Sequence, residues 1–303
     1  METKKLKKEK KEKNKLVIAI SSRALFNLDL SHQIFKDEGI EAYAKHQQEN
    51  ENVILEPGVG FTLVKKLLQL NSKKTPIDVI LLSRNSADTG LRIFNSIEHY
   101  GLNISRAAFT RGESTHPFVG AFEADLFLSS NYNDVQKALQ SGYAAASIVE
   151  SKSSNSHPSQ LRIAFDGDAV IFSDESERIF QEQGLEAFHE NEKRSENIEL
   201  KAGPFKSFLV SLQKIQSTFP EQNNPIRTAL VTARSAPSHK RVIHTMRKWG
   251  IRIDESFFLG GLEKGIFLRE FAADIFFDDQ QQHCNSASQY VSTGHVPSGI
   301  KNI

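Results

Sequence analysis

Ile163–Phe188 reads IAFDGDAVIFSDESERIFQEQGLEAF, and Ile18–Tyr43 reads IAISSRALFNLDLSHQIFKDEGIEAY. At an offset of 145 residues, without a gap, ten of the 26 positions are identical, where unrelated segments share roughly one or two. The correspondence resumes at an offset of 149: Leu81-Leu82-Ser83 against Leu230-Val231-Thr232, Gly101 against Gly250, Ile104 against Ile253, Phe109 against Phe258, Gly112 against Gly261 and Phe127 against Phe276. A small insertion in the second copy accounts for the shift. The chain therefore reads as two similar halves.

Working outward from the repeat, each half shows the same coarse order. A short apolar strand (Leu16–Ile20; Leu161–Phe165) precedes a polar, mainly helical insert. A helix of apolar spacing follows (Phe61–Leu70; Phe205–Ile215), then a second buried strand (Val79–Leu82; Ala229–Val231). The next helix (Thr89–Tyr100; His239–Trp249) stops at Gly101 or Gly250. A short strand, another helix and a last strand (Leu126–Leu128; Ile275–Phe277) close the unit. Continuous apolar runs alternating with helices predict a parallel sheet covered on both faces. The expected fold is α/β, with two tandem Rossmann-like units, each with its own parallel sheet. The boundaries are a disordered basic arm at residues 1–15, a first half at 16–150, a Ser-rich linker at 151–160 and a second half at 161–303. A short cap insert spans about 174–201.

Bulk properties narrow the function classes. A chain of 303 residues suits two domains. A net charge of +1 creates no global field for nucleic acid or anionic lipid, and the three glutamates among the lysines of the N-terminal arm weaken a nucleic-acid role for it. The single cysteine, Cys284, fits a reducing compartment. No apolar run reaches the roughly 20 residues of a membrane span, and the arm lacks the apolar stretch of a signal peptide. A cytoplasmic protein with no membrane partner is expected, and association into an oligomer stays open.

In parallel α/β sheets, ligands bind beyond the carboxyl ends of the strands. In the second half those positions hold Asp166 and Asp168, then Thr232, then Asp278 and Asp279, with Lys264 in the helical region before the last strand. Phosphate esters are anionic and repel nucleophiles, so their transfer needs positive charge around the phosphoryl group. Mg²⁺ on Asp166 and Asp278 would supply it, as hard cations take oxygen ligands. Lys264 adds a fixed charge, and the Thr232 hydroxyl can donate to a phosphoryl oxygen. One carboxylate, Asp166, can attack phosphorus, and Asp168, two residues on, can act as acid and then base. Each motif alone has a bland reading: a DxD as a turn or cap, Asp278-Asp279 as a strand-end cap, Lys264 as a surface lysine. Their ordered combination at strand ends points to catalysis. Arg234 is expected either on phosphate or on Asp174 or Glu175; with Arg84 taken as its counterpart, a structural role is favoured.

The first half replaces the charged set. Ser21 stands for Asp166, Arg23 for Asp168, Thr115 for Lys264, and Ser129 and Ser130 for Asp278 and Asp279; only a hydroxyl persists, Ser83 for Thr232. It is expected to be catalytically silent, and its cover over the active site is an open guess. Among the aromatics of the insert region (Phe172, Phe180, Phe188 and Phe205) one could stack on a purine, although core packing is the commoner fate of such residues.

The strand-DxD, strand-Thr, Lys, strand-DD series resembles the haloacid dehalogenase superfamily. More narrowly, IAFDGDAVIFSDESE (Ile163–Glu177), LVTARSAPS (Leu230–Ser238), ADIFFDDQ (Ala273–Gln280) and LLSRNSADTGLRIFNSIEHYGL (Leu81–Leu102) resemble the cytosolic 5′-nucleotidase type I family. The likeness covers nearly the whole chain after the arm and departs at no catalytic position. It implies Mg²⁺-dependent hydrolysis of nucleoside 5′-monophosphates, AMP foremost and deoxynucleotides included, with Asp166 as nucleophile and Asp168 as acid/base. The implied metal set adds the main-chain carbonyl of Asp168 to Asp166 and Asp278. A nucleoside di- or triphosphate effector is also implied. The rival readings are a phosphatase for another small ester, such as a sugar phosphate, and a nucleotide-binding regulator without turnover.

Overall fold

The computed structural model describes residues 15–73, 75–149, 157 and 159–302; the expected basic arm (but for Lys15) and most of the expected linker lie outside them. In the first half β1 (Leu16–Ser21), α1 (Ser22–Leu25), α2 (Asp29–Glu49), α3 (Phe61–Leu70), β2 (Ile77–Ser83), α4 (Leu91–His99), β3 (Arg106–Phe109), α5 (His116–Ala121), β4 (Leu126–Ser129), α6 (Tyr132–Gln140) and β5 (Ala145–Val149) follow in order. The second half continues with β6 (Leu161–Phe165), α7 (Glu175–Arg194), α8 (Lys206–Gln216), β7 (Ile226–Thr232), α9 (His239–Trp249), β8 (Glu255–Phe258), α10 (Gly265–Phe271), β9 (Ile275–Asp278), α11 (Gln281–Ala287) and β10 (Thr293–His295). Both inserts are single long helices, kinked at Gly39 and Gly184, whose φ of +89° and +84° a side chain rarely adopts.

The expected pair of separate parallel sheets is replaced by one. The described strands form a single ten-stranded sheet in the order β3-β2-β1-β4-β5-β10-β9-β6-β7-β8. Within each half the pairing is parallel, and the halves meet through one antiparallel pair, β5 with β10. The sequence pattern missed both joining strands. β10 is only Thr293-Gly294-His295, too short and too polar to carry an apolar signature; β5 lies after the strand that was read as the last of its unit.

The halves also share a core. On one face, Ile18 and Ile20 of β1, Phe61 and Val64 of α3, Ile163 and Phe165 of β6 and Phe208 of α8 belong to one buried cluster. The other face carries two separate clusters, around Phe127 in the first half and around Phe276 in the second. Reciprocal bonds lock the shared face. Lys66 Nζ of α3 lies 2.6 Å from Asp274 Oδ1, and Ser211 Oγ of α8 donates to Asp125 Oδ1 at 3.0 Å. Among the described residues no helix is long and apolar enough to cross a membrane.

Register decides where the two sets of strand ends face. Ser129, Ser147, His295 and Asp278 are consecutive partners in one row across the sheet. Ser21, one residue beyond the last position of β1 that pairs with β4, and Asp166, one residue beyond the last position of β6 that pairs with β9, flank that row. Three strand steps separate Ser129 from Asp278, about 14 Å at roughly 4.8 Å per step. Because β5 and β10 are antiparallel, the first half's strands end on this row from one side and the second half's from the other. The matched strand ends of the first half thus face the opposite way from those of the second, and each insert packs on its own half.

Candidate active site

Asp166 follows β6 directly. Its N–H donates to the Phe277 carbonyl of β9 at 2.8 Å, which pins it beside Asp278. Asp278 ends β9 fully buried; its Oδ1 accepts from the Gln280 N–H at 2.8 Å, and His283 Nδ1 lies 3.2 Å from both of its oxygens. Lys264, at the start of α10, places Nζ 2.8 Å from Asp166 Oδ1 and 2.6 Å from Asp278 Oδ2. Carboxylate oxygens of Asp166, Asp278 and Asp279 all lie within 4.8 Å of one another. Three of the predicted acids and the predicted lysine thus come from three separate stretches to one buried point.

One ammonium faces three carboxylates, and the electrostatics show the imbalance. Burial, then the facing Asp166 and Asp278, push Asp279 up to about 9. Burial also raises Asp166, to about 6, with Lys264 opposing and Asp278 adding to the rise. For Asp278 burial is outweighed by Lys264 and His283, which hold it down at about 2. Lys264 is raised despite burial, since it sits between Asp166 and Asp278. The donor set is all oxygen and carries excess negative charge, and Asp166 Oδ1 is buried with no well-directed hydrogen bond, only the Lys264 ion pair. These residues fit a hard divalent cation.

Thr232 ends β7, fully buried, and its Oγ1 accepts from the Arg234 N–H at 3.3 Å. A Cβ added to Gly167 would lie 3.2 Å from that oxygen, so the hydroxyl abuts the turn carrying Asp166 and Asp168. Asp168 itself is held by Arg234 through two bonds, Nε to Oδ2 at 2.8 Å and Nη2 to Oδ1 at 2.6 Å. Arg234 does not pair with Asp174 or Glu175, as expected from sequence; its third nitrogen donates to Glu192 at 2.6 Å. Its assumed counterpart is also corrected. With Ser83 and Thr232 in matching places, Asn85 rather than Arg84 occupies the position of Arg234. Asn85 accepts from Tyr43 Oη at 2.9 Å, just as Arg234 lies over the ring of Phe188, 5.4 Å from its centre.

Glu192 was not read from the sequence. It is buried on α7, accepts from Ser176 Oγ at 2.8 Å and Arg241 Nη1 at 2.9 Å, and so ties the insert helix to the residue that grips Asp168. The first half builds the same network without the acid: Ser31 Oγ donates to Gln47 Oε1 at 3.2 Å, and Arg92 Nη1 reaches that oxygen at 3.3 Å. The repeat itself was the signal, since Ser176, Glu192 and Arg241 align with Ser31, Gln47 and Arg92. His283 and His295 were also missed; His295 Nε2 lies 2.9 Å from the Asp279 carbonyl. Of the aromatics, Phe172 and Phe205 are core, whereas Phe180 is 41% exposed and packs edge-on to Phe188 at 6.3 Å.

At the matched point of the first half there is no such cluster. Ser21 Oγ accepts from the Ala24 and Ser130 N–H groups at 3.3 Å each, and the Ser129 hydroxyl accepts from the Asn131 N–H at 3.0 Å. Thr115 donates to Asp134, which is already paired with Arg84 through two bonds of 2.9 and 2.7 Å.

The human protein called cytosolic 5′-nucleotidase 1B is 41% identical over 293 residues, which cover 92% of this chain and 48% of that protein. The chain thus spans about half the length of this curated relative. No solved structure matches the chain. The model of the 5′-nucleotidase family matches residues 8–303, across both halves and every residue of the carboxylate cluster, and the chain belongs to that family.

Proposed function

We propose that the chain hydrolyses nucleoside 5′-monophosphates, AMP foremost, to nucleoside and phosphate, by haloacid dehalogenase-type chemistry that needs Mg²⁺. The observation that carries this reading is the buried meeting of Asp166, Asp278, Asp279 and Lys264 at the ends of β6 and β9, in a chain of the 5′-nucleotidase family. Asp166 and Asp278, with the main-chain carbonyl of Asp168, would hold the ion. When bound, Mg²⁺ offsets the clustered carboxylates and the charge of the phosphoryl oxygens. The cytosolic relative supports a cytoplasmic setting.

The chain's own residues then have distinct tasks. Asp166 is the nucleophile: its carboxylate oxygen bonds to phosphorus as the ester P–O bond breaks, giving an aspartyl phosphate. Lys264 holds Asp166 and Asp278 in place with a charge that burial does not remove. The Thr232 hydroxyl beside the Asp166 turn donates to a phosphoryl oxygen. Asp168 protonates the leaving nucleoside oxygen and then takes a proton from the water that opens the intermediate. To do so it must release at least one of its two bonds to Arg234. Glu192 fixes Arg234 and Arg241, and makes the insert helix part of that adjustment. Phe180, exposed beside Phe188 on α7, offers a flat face to a base. Within this reading the first half is a duplicated unit that does not turn over substrate.

The test is phosphate release from AMP, dAMP, glucose 6-phosphate and glycerol phosphate with and without Mg²⁺. Nucleoside monophosphates should lead by at least tenfold in kcat/KM, about 1.4 kcal/mol of discrimination. Equal or better turnover of sugar phosphates removes the nucleotide reading. Activity surviving thorough chelation removes the metal.

A further inference from the structure

A cavity of about 950 Å³ opens in the first half, over the strand ends where Ser21, Ser129 and Ser130 stand for the catalytic carboxylates. Volumes of this order take a nucleotide-sized ligand. The cavity faces away from the carboxylate cluster, because the two halves run antiparallel across β5 and β10.

Its floor favours an anion. In the second half an incoming phosphate meets three carboxylates and needs a cation between. Here the matched side chains are neutral hydroxyls, and the position of Asp168 is taken by Arg23. Arg23 Nη2 reaches Asp29 at 3.1 Å, but its Nε is buried and makes no hydrogen bond; the same holds for Nδ2 of Asn85. Both side chains line the cavity. Buried donors without acceptors cost free energy that a ligand oxygen can recover. The two acids at the mouth, Glu41 and Asp88, are exposed, and water screens them. The deeper Asp134 is neutralised by Arg84.

Its wall favours a flat ring. His32 and Phe35 stack at 6.3 Å, and Phe35 meets Tyr43 edge-on at 6.1 Å. The Phe35–Tyr43 pair repeats, at the same positions of the insert helix, the Phe180–Phe188 pair of the other half. Phe35 is 45% exposed despite lining the cavity, so its face is open to a partner.

We propose that this cavity binds a nucleotide, with the phosphate on Arg23 and the strand-end hydroxyls and the base against Phe35, without hydrolysing it and without a metal ion. The choice of a nucleotide rests on the nucleotidase reading of the second half; the cavity by itself calls for an anion joined to a flat ring. Turnover is absent because Ser21 has no carboxylate or imidazole placed to take its proton. Its oxygen instead accepts from two backbone N–H groups.

Photolabelling the full chain with 8-azidoadenosine 5′-monophosphate in EDTA, followed by peptide mapping, tests this. Label should fall on residues 29–49 and persist in Asp166→Asn. AMP should compete at least tenfold better than adenosine. Arg23→Glu should cut the labelling at least tenfold with circular dichroism and melting temperature unchanged. If Arg23→Glu does not fold, Phe35→Ala, an exposed position, should still cut it severalfold. Label confined to residues 161–302, equal competition by adenosine, or indifference to these substitutions overturns the proposal. Failure of the nucleotidase reading would show differently, as no phosphate release from AMP while the label on residues 29–49 remains.

Discussion

The two halves set nearly the same scaffold beside itself, with different chemistry at the same points. Both have the strand order of a five-stranded half-sheet, an insert helix kinked at a glycine, and a buried serine–acceptor–arginine network under that helix. At the strand ends they part. The second half gathers Asp166, Asp278, Asp279 and Lys264; the first has Ser21, Ser129, Ser130 and Thr115. The contrast teaches that the fold depends on apolar strand interiors and satisfied buried polar groups, which both halves keep. Reactivity depends on charge that the fold tolerates but does not need. Where Glu192 is an acid under two arginines, Gln47 is neutral under one, so even the shared network is tuned to the charge above it.

The sharpest way to break this comparison is to change matched nucleophile positions. Asp166→Asn should lower kcat by about 10³-fold or more, since an amide cannot attack phosphorus, with the far-UV spectrum unchanged. Ser21→Ala should leave kcat within about threefold. A comparable loss in both would mean that the chemistry is not confined to the second half.

The buried networks should separate next. Glu192→Ala leaves Arg234 and Arg241 without their shared buried acid, and should cost about 3–5 kcal/mol in urea unfolding. Gln47→Ala removes only neutral hydrogen bonds, and Arg92 keeps the Val53 carbonyl at 2.8 Å; about 1–2 kcal/mol is expected. Equal costs would show that the charge difference is not energetically felt.

Asp278→Ala should raise the Mg²⁺ concentration for half activity by about 100-fold, or abolish activity, because an oxygen ligand is lost. Ser129→Ala should not move it, as measured by Mg²⁺ titration of phosphate release. Smallest is the aromatic shelf. Phe180→Ala should raise KM for AMP about fivefold, roughly 1 kcal/mol of ring contact, with little change for ribose 5-phosphate. An equal effect on both esters would assign Phe180 to packing rather than to the base.

The proposed catalytic set was legible because its acids and Thr232 sit at or just beyond the ends of apolar strands, with Lys264 in the helical stretch before the last of them, and because the other half supplies a version with the charges removed. Asp166, Thr232 and Asp278 could be placed without coordinates. Arg234 could not. Its partners Asp168 and Glu192 lie 66 and 42 residues away, and only the fold of α7 over the strand ends brings them together. At the offset that pairs Ser83 with Thr232 its counterpart is Asn85, not Arg84, and Asn85 meets Tyr43 where Arg234 meets Phe188.

By itself the sequence determined what periodicity and local chemistry encode: the α/β alternation, the repeat, the strand-end acids and their replacement in the first half. Only the tertiary structure decided how the halves are joined. Strand pairing depends on backbone groups that every residue carries, so Thr293-Gly294-His295 has no side-chain signature that marks it as the partner of β5. That one antiparallel pair merges two expected sheets into one, lets α3 and α8 share a core, and turns the cavity of the first half away from the carboxylates of the second.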